Sequence, residues 1–237
     1  MISQRTRLDR FLSITTGVNR RSVRGILAQG RVSVDGVVAR DIQQVVHQFS
    51  VIIFDDKVLQ QNQSLYFMMN KPPGVVSATK DKRHKTVLDL VKKSDGVNLH
   101  IAGRLDFNSS GLLLLTNDGA WSRHLSSPEQ GIKKYYRVAL ENKMTEEYVQ
   151  AFRDGIYFEY EGITTQSAEL TIIDDRIAEI SVTEGRYHQI KRMFGRYQNK
   201  VLSLHRYRIG DLELDSALEA GQYRALSNKE VATIGGH

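Results

Sequence analysis

A single acidic side chain, Asp106, occupies a segment bounded by Gly103 and Gly111, directly before a run of four leucines. The residues just before this segment alternate as in a half-buried strand, and the leucines predict a second strand buried on both faces. The segment between them is therefore a loop held by a packed sheet, which is where catalytic groups usually lie. An aspartate in such a loop also commonly caps its own backbone turn, so this segment alone leaves both roles open for Asp106.

The motifs of several other chemistries are absent from the sequence. It contains no glycine-rich phosphate loop ending in Lys-Ser or Lys-Thr, no dinucleotide fingerprint and no nucleophile elbow. It contains no cysteine, and its seven histidines do not show the paired spacing of metal ligands. We therefore expect no metal and no nucleotide cofactor.

The net charge of +6 indicates a polyanionic partner, and the positive charge is concentrated in two stretches of the chain. Residues 1–60 contain nine Lys or Arg and five Asp or Glu, whereas Glu184–Arg208 contains seven basic residues and one acid. A nucleic acid that contacts both stretches would account for this distribution.

Nothing in the sequence indicates secretion or a membrane. Met1–Arg10 is polar and basic, without the apolar core of a signal peptide. No apolar run approaches the roughly 20 residues that a membrane helix needs, and the lack of cysteine excludes disulfides. We expect a cytoplasmic protein with no membrane partner.

The first 60 residues show two helix patterns followed by a hairpin signal. Thr6 is placed to cap the first helix and Asn19 to cap the second. Asp35-Gly36, which lies between short runs of valine, is typical of a hairpin turn. Three arginines of the second helix fall largely on the face opposite its apolar stripe. That face is either an ordinary solvated surface or a phosphate-binding surface.

The polar, aperiodic stretch at residues 61–64 predicts a linker. From Leu65 onward, short strand patterns mix with a few helices, and Ser227 with Glu230 predicts a capping box for the last helix. Because strands and helices do not alternate strictly, we expect the sheet to be mainly antiparallel. The predicted divisions are residues 1–60, the linker 61–64, and residues 65–237.

Three further motifs accompany the Asp106 segment. They are Asn-Lys-Pro-Pro-Gly at Asn70–Gly74, Lys-Tyr-Tyr-Arg-Val at Lys134–Val138, and Glu-Gly-Arg-Tyr-His-Gln-Ile-Lys-Arg-Met-Phe at Glu184–Phe194. In their order and approximate spacing, the four motifs resemble those of the ribosomal small-subunit pseudouridine synthases, and the resemblance covers the whole chain. The helix, basic helix and hairpin before them resemble the small RNA-binding module shared by a small-subunit ribosomal protein and many rRNA-modifying enzymes.

This resemblance implies an α+β fold with a small N-terminal RNA-binding α/β module of ribosomal-protein type at residues 1–60. The catalytic domain at residues 65–237 is then a pseudouridine synthase built on a mainly antiparallel mixed sheet. The implied activity is isomerisation of one uridine to pseudouridine in small-subunit (16S) ribosomal RNA. The implied partner is ribosomal RNA, either free or within an assembling particle, and we expect a monomer.

The resemblance also assigns roles to individual residues. The catalytic residues would be Asp106, Tyr136 and Lys191. The RNA-binding residues would be Arg104, Arg20, Arg21, Arg24, Arg31, Arg186 and Arg192. Many relatives have arginine at the position of Lys191, so the neighbouring Arg192 stays open as the basic partner of Asp106. Lys71 is expected to support the catalytic loop structurally.

Three alternatives to this activity stay open from the sequence. One is a paralogous pseudouridine synthase that acts on large-subunit rRNA. Another is a non-catalytic ribosome-assembly factor that only binds RNA, although such a factor needs neither Asp106, Tyr136 nor Lys191. The last is a base-removing glycosylase, which would use a similar carboxylate but release free uracil.

Overall fold

The computed structural model describes residues 5–92 and 98–235 of the chain. The chain divides into two units, Met1–Ser64 and Leu65–His237, each with its own hydrophobic core. The segment Met1–Arg10 is predicted not to be a signal peptide. Its start lies outside the described residues. Among the described residues, no helix combines the length and the apolarity that a bilayer crossing requires.

The first unit packs two helices against small antiparallel sheets. Its elements are β1 (Arg5–Arg7), α1 (Leu8–Thr16), α2 (Arg20–Ala28), β2 (Val32–Val34), β3 (Val37–Val38), β4 (Val45–His47), β5 (Ile52–Phe54) and β6 (Lys57–Gln60). One sheet has the strand order β3-β2-β5-β6, and β1 pairs separately with β4. The apolar stripes of both helices supply Leu8, Leu12, Val23 and Leu27 to the core, each at most 2% exposed.

The predicted turn signals of this unit are confirmed except at one helix start. The Asn19 side chain accepts the backbone N–H of Arg21 at 2.9 Å, so it caps α2 as expected. Asp35 and Gly36 both have positive φ and join β2 to β3, the conformation that suits a two-residue hairpin. The prediction that Thr6 caps α1 is wrong. Thr6 pairs with β4, and carbonyls of residues 42 and 44 accept the first N–H groups of the helix instead.

The second unit contains the larger sheet. Its elements are β7 (Tyr66–Lys71), β8 (His100–Ala102), β9 (Ser110–Thr116), α3 (Gly119–Ser126), β10 (Lys134–Leu140), α4 (Glu147–Asp154), β11 (Tyr157–Phe158), β12 (Ile163–Thr164), β13 (Glu169–Asp174), β14 (Ile177–Val182), α5 (Gln189–Gly195), β15 (Val201–Ile209), β16 (Leu212–Glu213), β17 (Tyr223–Ala225) and α6 (Asn228–Gly235), with short 3₁₀ turns at Val87–Leu90 and Pro128–Gln130.

Nine strands form one mixed sheet with the order β13-β14-β10-β15-β9-β7-β17, while β16 pairs with β15 and β8 with β9. Between β9 and β15 the strands run parallel, and the other pairings of this sheet among the described strands are antiparallel. The expectation of a mainly antiparallel sheet is therefore confirmed. The capping box of Ser227 and Glu230 at the start of α6 is also present.

Strand β9 lies in the middle of this sheet and is buried on both faces, as its leucine run predicts. Leu112 and Leu114 pack into one core with Trp121, whereas Leu113 and Leu115 pack into the core on the opposite face. The loop that carries Asp106 leads directly into β9. Burial of the leucines of β9 therefore fixes the position of the end of the loop.

The glycine at the end of the loop is required by close backbone packing. Gly111 has φ +102°, and a Cβ atom there would lie 2.2 Å from the carbonyl oxygen of Arg206 on β15. No residue with a side chain fits this position without moving the strand. Gly111 therefore permits the parallel β9–β15 contact that brings Arg206 behind the loop.

Candidate active site

The loop that carries Asp106 is held by a buried ammonium group. Lys71, at the end of β7, is fully buried, and its Nζ donates to four backbone carbonyls at 2.8–3.3 Å. Three of these carbonyls belong to Asp106, Phe107 and Ser109 in the loop, and the fourth to Pro72. The expected structural role of Lys71 is therefore confirmed in the geometry.

The same loop is bound to the turn after β7 from a second direction. The Ser77 hydroxyl donates to the carbonyl of Leu105 at 2.7 Å and accepts the backbone N–H of the same residue at 3.1 Å. The backbone N–H of Gly74 donates to the carbonyl of Phe107 at 2.9 Å. Of the two residues next to Asp106, Phe107 is thus tied to the Pro-Pro-Gly turn and Leu105 to Ser77 just beyond it, while the Asp106 side chain lines the cleft.

A second buried cation, Arg206, holds the other side of the loop. It is 2% exposed and donates to the carbonyls of Gly103 and Leu112, both at 2.8 Å. Its Nη1 also lies 3.4 Å from the hydroxyl of Tyr136. One guanidinium therefore connects the start of the catalytic loop, strand β9 and the candidate active-site tyrosine.

The Asp106 carboxylate has two basic neighbours at the start of α5. Lys191 Nζ lies 3.2 Å from Asp106 Oδ2, and His188 Nε2 lies 3.5 Å from Asp106 Oδ1. The Asp106 side chain is 26% exposed, so it is partly shielded but reachable from solvent. Of the two candidates for the basic partner, Lys191 is the one in contact with the carboxylate.

Arg192 makes a different set of contacts. Its guanidinium pairs with Glu161 at 2.5 Å and lies over the ring of Phe158 at 3.8 Å. These contacts fasten α5 to the turn between β11 and β12. Arg192 is therefore directed away from Asp106, although it stays partly exposed.

A buried carboxylate positions the residues before α5. Glu184 is 3% exposed and accepts the side-chain amide of Gln189, the Nε of Arg186 and the backbone N–H of Gln166, at 2.8–2.9 Å. These bonds hold the Gly-Arg-Tyr-His segment in place ahead of the helix. The first turn of α5 then directs Lys191 toward the loop.

Tyr136 lies on β10 with its ring among the core residues of the cleft side and is 9% exposed. Its neighbour Tyr135 points to the opposite face, where its ring packs with Arg208 and Tyr207, as the strand alternation predicts. Tyr136, Asp106, Lys191 and His188 line one cleft.

Some of the predicted RNA-binding arginines form ion pairs within the protein, and others do not. Arg104 lines the same cleft, is exposed, and forms no ion pair within the described residues, whereas Arg186 lines it while paired with Glu184. In the first unit, Arg31 forms a two-point ion pair with Asp55. These pairs occupy part of the hydrogen-bonding capacity that a phosphate would need.

Arg20 also has a structural partner. It donates to the buried carboxylate of Asp9 at 2.8 Å, and Arg7 donates to the same oxygen at 3.0 Å. Burial alone would raise the pKa of Asp9, but the hydrogen bonds from Arg20 and from the backbone N–H of Arg10 outweigh it, so the pKa lies below its ordinary value. Arg21 and Arg24, which the sequence analysis grouped with Arg20, are exposed and form no ion pair in the described part of the chain.

Three site residues were missed by the sequence analysis: Arg206, Glu184 as a buried anchor, and His188. Arg206 lies in β15, whose mixed polar and apolar sequence does not show a clear strand pattern. The parallel contact with β9 that buries it cannot be seen from local spacing. Within the described residues, no group of three or more His, Cys, Asp or Glu could hold a metal ion.

The comparison with known proteins agrees with this geometry. The family model described as RNA pseudouridylate synthase matches residues 65–195, which include Asp106 and its two basic neighbours, His188 and Lys191. The chain belongs to the RNA pseudouridylate synthase family. Its α+β fold is that of the family, since a crystal structure of a pseudouridylate synthase with 38% identity superposes with a TM-score of 0.71, covering 96% of this chain and 99% of the other.

Two bacterial relatives extend the match to the whole synthase. The ribosomal small subunit pseudouridine synthase A of Pseudomonas aeruginosa is 45% identical over 229 residues, which cover 96% of this chain and all of the relative. The protein of the same name from Escherichia coli K12 is 38% identical over 233 residues, covering 96% and 99%. All four motifs, including the last one at Glu184–Phe194, lie inside the matched family region.

The ammonium of Lys71 gives this synthase a pH-sensitive loop. Burial lowers the pKa of Lys71 to about 8; the Asp106 carboxylate raises it, and Arg206 and Lys191 lower it further. Between pH 8 and its ordinary pKa of 10.5, the unfolded chain keeps this proton while the folded chain releases it. The contribution of Lys71 to the free energy of unfolding therefore rises with pH across that window. Above pH 8, however, Lys71 becomes neutral, and the loop carbonyls lose the positively charged donor that holds them.

We predict that the single-turnover rate falls above pH 8 while the enzyme stays folded, because a neutral amine holds the loop carbonyls less firmly. Lys71→Met should lower the rate by about 100-fold at pH 7, since small displacements of a catalytic group are that costly, and should lack the alkaline decline. The measurement is the rate of pseudouridine formation from pH 7 to 9.5, with circular dichroism at each pH.

Lys134→Met is the matched control, because burial also lowers the pKa of Lys134 to about 8 but its Nζ bonds to Thr183 and not to the loop. This variant should keep the alkaline decline. A decline that persists in Lys71→Met and vanishes in Lys134→Met would contradict the role given to Lys71.

Proposed function

We propose that this protein isomerises a uridine of small-subunit ribosomal RNA to pseudouridine, with Asp106 as the catalytic carboxylate. The observation that carries the proposal is the placement of Asp106 in a backbone-anchored loop, 3.2 Å from Lys191, inside the cleft that Tyr136 also lines. The names of the bacterial relatives support the small subunit as the source of the RNA. They do not favour the large-subunit alternative.

The reaction needs a negative charge beside the ribose. The bond between uracil N1 and ribose C1′ breaks, the detached base turns, and C5 joins C1′ before the C5 proton is lost. Because C1′ becomes electron-poor when its bond to nitrogen breaks, an ionised carboxylate is the natural catalyst, as in glycoside cleavage. Addition of Asp106 to the ribose and removal of a ribose proton by Asp106 both begin from the same carboxylate.

The neighbours of Asp106 have complementary roles. Lys191, 3.2 Å from Asp106 Oδ2, supplies a positive charge opposite the carboxylate inside the cleft. The ring of Tyr136 offers a surface for the uracil, and its hydroxyl is placed to assist the loss of the C5 proton. The target must leave the RNA stack to reach this cleft, and Arg104, exposed at the entrance, helps to hold the RNA open.

The cleft belongs to one chain, which supplies Asp106, Tyr136 and Lys191. A single copy therefore suffices for the chemistry, and we propose that the protein acts as a monomer. Because the relatives are bacterial proteins named for the ribosomal small subunit, we also propose the cytoplasm as its compartment and ribosomal RNA, either free or in assembling particles, as its partner. Mapping the product in each of these two RNA forms identifies the true substrate.

Asp106→Asn tests the proposed function. This change keeps the size of the side chain and removes its charge, so we expect RNA affinity to survive and product formation to fall by at least about 1000-fold. Purified protein is incubated with small-subunit and large-subunit rRNA, and pseudouridine is mapped by chemical labelling and primer extension. Free uracil in place of pseudouridine would identify a glycosylase, and an absence of both products with intact binding would identify an assembly factor.

A second prediction separates the two basic candidates on α5. Lys191→Met should lower the single-turnover rate at saturating RNA by about 100-fold, the usual effect of removing one electrostatic contact to a reacting group. Lys191→Arg should retain much of the rate. Arg192→Met should change affinity or stability and leave the rate intact, because Arg192 contacts Glu161 and Phe158. The opposite ranking of the two methionine variants would make Arg192 the partner of Asp106.

We also propose that the first unit is an RNA-binding module, as the resemblance of its helices and hairpin suggests. The exposed side chains of Arg21 and Arg24 on α2 support this proposal, since they are not engaged in ion pairs within the described residues. Arg20 and Arg31 combine a phosphate contact with a structural pair, to Asp9 and Asp55.

A third prediction follows for this module. The double variant Arg21→Ala, Arg24→Ala should keep its melting temperature and weaken RNA binding, and the slope of log affinity against log salt should fall by about 1.5 for two lost phosphate contacts. Arg20→Ala should in addition lower the melting temperature, because it leaves the buried Asp9 carboxylate with one fewer partner. Lys57→Ala, in the same unit but outside α2, is the control. An unchanged salt slope in the double variant would show that RNA does not contact α2.

A further inference from the structure

An exposed aromatic ring stands at the edge of the cleft without an apparent role in the fold. Tyr187 is 78% exposed, and its ring is stacked on that of His188, with ring centroids 3.9 Å apart and planes 18° from parallel. One face of the tyrosine ring is covered by the histidine. The rest of the ring is in contact with water, so its other face is open to a stacking partner.

The stack begins at the catalytic carboxylate. His188 Nε2 lies 3.5 Å from Asp106 Oδ1, and His188 is held in a left-handed backbone conformation with φ +50°. Such a conformation is uncommon for a bulky residue. It places the two rings in series, so that His188 adjoins Asp106 and Tyr187 lies one ring further out.

The surroundings of the stack carry positive charge. Arg186 precedes Tyr187 in the chain and its side chain is 45% exposed, and the exposed Arg104 lines the same cleft. Aromatic rings combined with basic side chains are the usual means of binding single-stranded nucleic acid, in which bases stack on the rings and phosphates meet the cations. A protein partner would need a broader apolar surface than this one ring offers.

We propose that Tyr187, oriented by His188, is a stacking platform for the nucleobase next to the target uridine. The inference rests on the proposed function, since it requires RNA to enter the cleft. The target base itself must reach Asp106, and the ring adjoining that carboxylate is His188. The outer face of Tyr187 is therefore placed for a neighbour of the target.

This platform would ease the extrusion of the target. When a uridine leaves the stack, the base beside it loses a stacking partner, and this loss is part of the cost of extrusion. Tyr187 restores the lost contact. The side chain should therefore contribute to the affinity for RNA whose target is extruded, and not to the bond-breaking step.

The experiment combines variants of the protein with variants of the RNA. The RNA is a short fragment of small-subunit rRNA that contains the uridine mapped for the wild-type protein, intact or with an abasic nucleotide on the 5′ or the 3′ side of that uridine. Tyr187→Ala should bind the intact fragment at least tenfold more weakly, which corresponds to about 1.4 kcal/mol. Its single-turnover rate at saturating RNA should equal that of the wild type, and Tyr187→Phe and Tyr187→Trp should retain affinity.

The abasic fragments identify the contact. On one of them, wild type and Tyr187→Ala should bind equally, because the base that would stack on the ring is missing. Tyr160→Ala is the matched control, since Tyr160 is 97% exposed but neither of its chain neighbours, Glu159 and Glu161, lines the cleft. It should bind every fragment as the wild type does.

Four results would overturn the proposal. If Tyr187→Ala matches the wild type on every fragment, or loses the same affinity on all of them, the contact is not with a neighbouring base. A slower single-turnover step with unchanged affinity would show that Tyr187 acts through His188 on Asp106. If the wild-type protein forms no pseudouridine in any rRNA, the proposed function fails as well, whereas the other outcomes leave it intact.

Discussion

The arrangement of the site depends on two buried cations that bind backbone carbonyls. A charged side chain removed from water is very costly unless its hydrogen bonds are replaced. Lys71 and Arg206 meet this cost by donating to carbonyls of the loop and of the strand ends on either side of it. Carbonyl oxygens at fixed distances from two immobile cations leave the loop little freedom. The Asp106 carboxylate is thereby positioned through the backbone of its loop.

The residues that hold the loop come from distant parts of the sequence. Lys71 comes from the Pro-Pro-Gly motif, and Arg206 lies beyond the last motif on β15. Gly111 must lack a side chain for Arg206 to come this close, because a Cβ atom would collide with the Arg206 backbone. Lys71 in the Pro-Pro-Gly motif and Gly111 look like ordinary turn residues in the sequence. In the structure, both are needed to hold the loop that carries Asp106 in place.

Local patterns predicted much of the fold, and the remainder needed contacts between distant segments. The buried strand of four leucines, the Asn19 cap and the Asp35-Gly36 turn follow from propensities that act over a few residues. Strand β15 and the burial of Arg206 do not, because they depend on a parallel pairing with β9, and such pairing leaves no local pattern. Likewise, the sequence grouped Arg20 with Arg21 and Arg24 by helical spacing. Only the structure shows that a buried carboxylate, Asp9, lies under one of the three.

The use of a lysine at position 191 has a physical consequence at the carboxylate. A guanidinium binds both oxygens of a carboxylate in one rigid plane. Here the two oxygens are divided, with Lys191 near Oδ2 and His188 near Oδ1. An oxygen that attacks the ribose or takes a proton must give up its existing partner. Because the partners are separate side chains, Oδ1 can leave His188 while Lys191 stays in contact with Oδ2. Under the proposed mechanism, in which one oxygen would act on the ribose, the lysine therefore holds one carboxylate oxygen and leaves the other available.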